Sequence, residues 1–163
     1  PIIPEGVGGA PVLECFGDAS CEEGNTQTGV VIMLYGMTVC WKSTKQPQVP
    51  RSTAESECTA MAYAAQMLEG LACLFHSLGV DIKKPVLYCD NRAAVRLSSG
   101  SSEWRTKALV NRIMGVKSLI ELGILDLVFK ATADMEAGAL TKYMGAKILQ
   151  RQRKLWGLTP PPH

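Results

Sequence analysis

Three carboxylates stand where strand-like and helix-like patterns meet. Asp18 closes the β-rich run "VLECFGDAS", Glu57 lies in "STAESECTAMA" at the head of a long helical pattern, and Asp90 follows the apolar "LYC". Each has an ordinary explanation when taken alone. Asp suits an Asx-type turn, and an acid near the start of a helix is favoured by the helix dipole and by capping, to which Thr53 and Ser56 could also contribute. Together they say more, because functional groups in α/β sheets gather where strands end and helices begin. Carboxylates that converge repel one another unless cations neutralise them. An oxygen-only cluster suits Mg²⁺ or Mn²⁺, which keep several waters and commonly share substrate phosphate. The chemistry this favours is phosphodiester hydrolysis assisted by two metal ions.

The elements that must position these groups follow from periodicity and turn residues. Residues 12–20 read as a strand, and "TGVVIMLYGMTVCWKS" (28–43) as a hairpin turning at Tyr35-Gly36. Residues 44–52, with two prolines, form a loop. Apolar residues then recur at helical spacing from Ser52 or Thr53 to about Leu78, closed by Gly79. A strand at 85–90, a short helix at 91–98, a loop at 98–102, a helix at 104–122 closed by Gly123, a strand at 124–131 and a last helix over 134–156 complete the pattern. Strands joined first by hairpins and then by helical crossovers give a mixed α/β sheet flanked by helices. Glu55 and Glu57 lie two apart on the first helix, so they face different ways. The inward face running through Ala60, Met61 and Ala64 selects Glu57.

Composition narrows the partners. The 163 residues have 47% hydrophobic and 20% charged residues and a formal net charge of +2, an ordinary globular balance with no overall polycation for nucleic acid. Any basic surface is local, as around Lys42, Lys45 and Arg51 or around Lys147, Arg151, Arg153 and Lys154. The six cysteines show no CxxC pair and no zinc-like spacing with histidine, which points to unbridged thiols in a reducing compartment. No signal peptide and no apolar run long enough to span a bilayer is visible, so no membrane partner is expected. The Pro/Gly-rich residues 1–11 read as a linker and 159–163 as a tail around one domain at 12–158. A chain beginning at Pro is expected to be cut from a longer polypeptide.

The blocks "GDAS", "CWKSTKQPQVPRSTAESECTAMA", "LYCDNRAAV", "RTK" and "ALTK", in this order and spacing, resemble the ribonuclease H domain of copia-type (Pseudoviridae) LTR retrotransposon polyproteins. The resemblance runs over roughly residues 12–158. It implies a ribonuclease H-like fold, with a five-stranded mixed sheet ordered 3-2-1-4-5 and flanked by helices. It also implies cleavage of the RNA strand of RNA–DNA hybrids during reverse transcription, with two Mg²⁺ (or Mn²⁺) ions and products ending in 5′-phosphate and 3′-hydroxyl. An adjoining reverse transcriptase domain and an intracellular setting (cytoplasm, virus-like particle or nucleus) follow from the same resemblance. Asp18, Glu57 and Asp90 match the first three catalytic carboxylates, and Asn91 and Arg92 fall where the family tends to contact substrate.

Two positions depart from the family pattern. A fourth carboxylate normally opens the last helix in a block like "LADILTK", but the aligned "EAGALTK" has Gly138 in its place. Asp134 lies four residues earlier and would share that face one turn away if the helix has already begun, which makes it a candidate substitute. Glu136 would point elsewhere. The family usually has His after "RTK", where this chain has Ala108 and Leu109. His76 reads as structural, and neither it nor His163 is placed as a general base. The losses leave a second reading, a catalytically weakened or domesticated domain that binds nucleic acid or serves as a scaffold. Substrate contacts are expected from Ser20, Asn91 and Arg92 near the site, and from Lys42, Lys45, Arg105 and Lys107 on phosphates. Trp41 is expected in the core, and Trp104 against a sugar.

Overall fold

The computed structural model describes residues 9–22, 25–92 and 107–158. The first β-rich run forms β1 (Val12–Glu22), and the hairpin forms β2 (Asn25–Leu34) and β3 (Met37–Lys45). Its turn residues Tyr35 and Gly36 take the left-handed backbone, φ 53° and 72°, which matches a two-residue turn to the twist of its strands. With β4 (Lys83–Cys89) and β5 (Asp126–Phe129) the sheet has the order β3-β2-β1-β4-β5, as the resemblance implied. β1 pairs antiparallel with β2 and parallel with β4; β2 with β3 is antiparallel and β4 with β5 parallel.

The long helical pattern is α1 (Thr53–Ser77), which lays Cys58, Ala60, Met61, Ala64, Ala65 and Leu68 onto Leu13, Cys15, Val30, Ile32 and Leu87 of the sheet. Gly17 lets α1 close down, since a Cβ there would lie 3.0 Å from the Ala64 Cβ. Ser52 caps the helix by accepting from the Glu55 amide at 3.2 Å, and the Glu55 carboxylate reaches back to the Arg51 amide at 2.8 Å, a capping-box arrangement displaced by one residue. α2 (Lys107–Glu121) packs beside α1, where Arg112 donates to Thr59 Oγ1 at 2.6 Å and to Gln48 Oε1 at 2.8 Å.

Several expectations need correction. α1 is long and apolar enough to cross a membrane by length and composition, contrary to the reading that no such run exists; its apolar stripe is the one packed on the sheet. Trp41 is 65% exposed rather than buried. It sits on the edge strand β3, on a groove of about 350 Å³ shared with Val31, Leu140, Trp156 and Leu158. His76 is exposed in the last turn of α1, so it packs in no core. All six cysteines are free, as expected. Residues 1–8, the helix expected beyond Arg92, the 98–102 loop, Trp104 and the tail at 159–163 lie outside the described residues.

The expected continuous helix over 134–156 does not form. Two 3₁₀ turns, Thr132–Asp134 and Glu136–Leu140, come first, and α3 spans only Ala146–Leu155. Tertiary contact overrides the helical pattern, because Met135 and Ala137 are drawn into a second core with Phe16, Val31 and Met33 on the sheet face away from α1. The second turn is tied to the strands by Ser43 Oγ donating to the Leu140 carbonyl at 2.7 Å and by the Ser20 hydroxyl donating to the Thr141 carbonyl. Gly29 makes the approach possible: a Cβ there would lie 2.7 Å from Thr141 Cγ2, 2.8 Å from the Ala137 carbonyl oxygen and 2.9 Å from Leu140 Cβ. Gly29→Ala is therefore expected to lower stability by about 1–3 kcal/mol, as overpacking does. A fall in the urea midpoint checks this, and an unchanged midpoint refutes the close approach.

Candidate metal centre

The parallel register of β1 and β4 pairs Gly17 with Cys89, so the next residues lie side by side: Asp18, still inside β1 and paired with Gly29 rather than at the strand end expected, and Asp90, just past the end of β4. Glu57, one turn into α1, reaches the same point, and one oxygen from each of the three lies within 4.8 Å of the others. Asp18 is 2% exposed, while Glu57 and Asp90 are half-buried. Like charges brought this close out of water resist ionising together. Burial raises the Asp18 carboxyl above its ordinary range, opposed by the Thr141 hydrogen bond and the Lys142 charge. Burial pushes the Glu57 carboxyl up to about 8, with the charges of Asp90 and Asp18 adding to the rise and Lys142 working against it. Glu57 Oε2 is buried without a hydrogen-bond partner. A divalent cation among these oxygens answers both features at once, supplying a partner for the orphaned atom and the charge that lets the acids ionise. The donor set fits such an ion.

The supporting groups come from the segment that replaces the expected helix. Thr141 donates its hydroxyl to Asp18 Oδ2, and Lys142 Nζ stands 3.8 Å from the same oxygen. Thr132 Oγ1 donates to Asp90 Oδ2 at 2.8 Å. Residue reasoning assigned no role to any of the three, although Thr141 and Lys142 lie in the "ALTK" block. Gly138 also faces the site, since a Cβ built on it would lie 3.8 Å from Asp18 Oδ2.

The other candidates are placed as follows. Asp134 is not brought to the cluster: it is exposed in the first 3₁₀ turn and pairs with Arg151 at 3.3 Å. Glu136 points away, as expected, and pairs with Lys130 at 2.8 Å under the second core. Glu55 is held in the helix cap. The Ser20 hydroxyl is engaged with the Thr141 carbonyl. Asn91 follows Asp90 directly, and the exposed Arg92 guanidinium lies 4.5 Å from the centre of the Phe129 ring, held by a cation–π contact at the end of β5. Lys42 and Lys45 are exposed on β3. Arg105 and the Lys107 side chain lie outside the described residues.

No family model matches the chain. In sequence it is 26% identical over 156 residues to the retrovirus-related Pol polyprotein from transposon TNT 1-94 of Nicotiana tabacum. The alignment takes in 93% of this chain but only 12% of that polyprotein. In structure it resembles the N-terminal RNase H domain of a Mycobacterium tuberculosis protein, with a TM-score of 0.61 at 9% identity over 89% of this chain and 98% of that one. LC11-RNase H1, isolated from compost by a metagenomic approach, matches with a TM-score of 0.61 at 17% identity over 80% and 91%. Its crystal structure in complex with RNA/DNA hybrid matches with a TM-score of 0.60 at 16% identity over 80% and 92%. The chain has the ribonuclease H fold and is similar in sequence to part of a retrotransposon Pol polyprotein. Within that fold Asp18 sits inside β1, Asp90 just beyond the parallel strand β4, and Glu57 on the helix between the two.

Proposed function

We propose that this domain is a metal-dependent endoribonuclease that cleaves the RNA strand of RNA–DNA hybrids formed during reverse transcription. It acts inside the cell as part of a copia-type polyprotein, beside its reverse transcriptase domain. The convergence of Asp18, Glu57 and Asp90 within 4.8 Å carries the reading, supported by the Pol relative and by a structural neighbour crystallised with hybrid. Asp18, Glu57 and Asp90 would hold Mg²⁺ or Mn²⁺. Bound there, divalent ions supply water activation and charge stabilisation of the leaving oxygen in phosphodiester hydrolysis. Thr141 and Thr132 fix the orientations of Asp18 and Asp90, which keeps their oxygens aimed at one point. Asn91 and Arg92 adjoin the site on the strand tip, where contacts to phosphate and 2′-hydroxyl distinguish the near-A-form hybrid by shape rather than base sequence.

The test is cleavage of end-labelled RNA–DNA hybrid by the chain, in Mg²⁺ and then in Mn²⁺, with an RNA-strand product ladder expected in at least one. Gly138 favours a second reading, a weakened domain that binds nucleic acid or acts as a scaffold. Hybrid binding without cleavage in both metals would establish that reading and displace the first.

A further inference from the structure

Resting on this hydrolase reading, we infer that Lys142 takes the place of a second metal ion, so that the centre binds one divalent cation and completes its charge with an ammonium. The position from which a fourth carboxylate would hang is Gly138, and it is not empty space. A Cβ there would lie 3.3 Å from Met144 Cε, 3.6 Å from Lys142 Cε and 3.8 Å from Asp18 Oδ2, so the lysine stem lies in van der Waals contact with the position from which a fourth acid would reach Asp18. Its ammonium ends 3.8 Å from Asp18 Oδ2. Among the described residues it is the one basic group paired with that buried acid.

The charge balance favours the same assignment. Three carboxylates, one divalent ion and one ammonium are neutral together. A second divalent ion would leave the pocket two charges positive, with fewer oxygens to hold it and a cation already against Asp18. Lys142 is also open to solvent. Its side chain is about one-third exposed, and it lines a groove of about 330 Å³ with Ser20, Asn25, Gln27, Thr141 and the 95%-exposed Tyr143. From there the ammonium acts as a catalytic residue, donating to a non-bridging oxygen of the scissile phosphate as negative charge grows on it.

Mn²⁺ stoichiometry by titration calorimetry, with free Mn²⁺ by electron paramagnetic resonance as a second readout, tests this on the whole chain. Wild type is expected to bind one Mn²⁺. Lys142→Met keeps the stem length, and it is expected to bind one Mn²⁺ at least as tightly while losing hybrid cleavage by roughly 100-fold. The double variant Gly138→Asp/Lys142→Met is expected to bind two. Two ions in wild type, or cleavage unchanged in Lys142→Met with its thermal melt intact, overturns the assignment while leaving the hydrolase reading standing. No bound ion and no cleavage in wild type overturns both.

Discussion

Asp90→Asn is expected to lower hybrid cleavage by more than about 100-fold, above the 10–100-fold typical of removing an outer partner of a metal ligand. The substitution keeps the shape of the side chain and takes away its charge. The amide oxygen can still accept from Thr132 Oγ1, which now lies 2.8 Å from Asp90 Oδ2, and Asp90 is half-buried beyond the last paired residue of β4, so no core contact is lost. Folding should therefore move by no more than about 0.5 kcal/mol, the range for changes outside packed regions. The effect falls on the ion. A neutral amide is a poor ligand for a hard cation, and two acids in place of three attract it less. Cleavage rate, Mn²⁺ affinity and thermal melt measured together separate the outcomes: loss of the first two with the third unchanged is expected. Full activity would remove Asp90 from the site, and a collapsed melt would make its role structural.

How much of this was legible in the residues differs from group to group, for physical reasons. Asp18 and Asp90 could be paired because parallel strands with a helical crossover bring equivalent positions side by side, and the register of β1 with β4 does so, although Asp18 lies within β1 rather than at its end. Glu57 could be separated from Glu55 because residues two apart on a helix diverge. The structure adds why Glu55 is there: with Ser52 three residues before it, it makes the cap, so the capping signature is "STAE" rather than Thr53 and Ser56. The last third of the site was not legible. Placing Asp134 on Gly138's face assumes 3.6 residues per turn from residue 134 onward, and 3₁₀ turns break that period. The segment abandons the helix because Met135 and Ala137 find a better burial on the sheet over Gly29. That choice depends on residues more than a hundred positions away, which no local pattern records. Thr141 and Lys142 reach Asp18 only because of it, so their roles were hidden by the same contact.

Divalent-ion affinity is expected to rise roughly tenfold per pH unit from about pH 6 to about pH 8 and then to level off. The cause is Glu57, whose carboxyl is pushed up to about 8 from an ordinary value of 4.5 by burial first and by the Asp90 and Asp18 charges next. Below that range the folded protein keeps a proton on Glu57, and an entering ion must displace it, so each pH unit removes one proton's worth of competition. The metal-free protein should show the opposite trend. Between the unfolded and folded values the folded chain holds a proton that the unfolded chain has lost, so folding takes up a proton. Stability from this group is complete below the unfolded value and declines as pH rises toward about 8, by at most about 1.4 kcal/mol per pH unit. Asp18, also raised by burial, adds in the same sense. Chelator-treated protein is thus expected to melt lower at about pH 8 than at about pH 6. Mn²⁺ at 100 times its Kd adds about 2.7 kcal/mol of stability at any one pH, and a fixed Mn²⁺ concentration therefore stabilises more at the higher pH. Glu57→Gln holds no displaceable proton and should flatten both the affinity slope and its share of the metal-free decline. Melting curves with and without Mn²⁺ across this range, for wild type and Glu57→Gln, decide the matter. An affinity in wild type that stays constant from about pH 6 to about pH 8 would show that Glu57 is already ionised and that the buried oxygen is neutralised by something other than a proton.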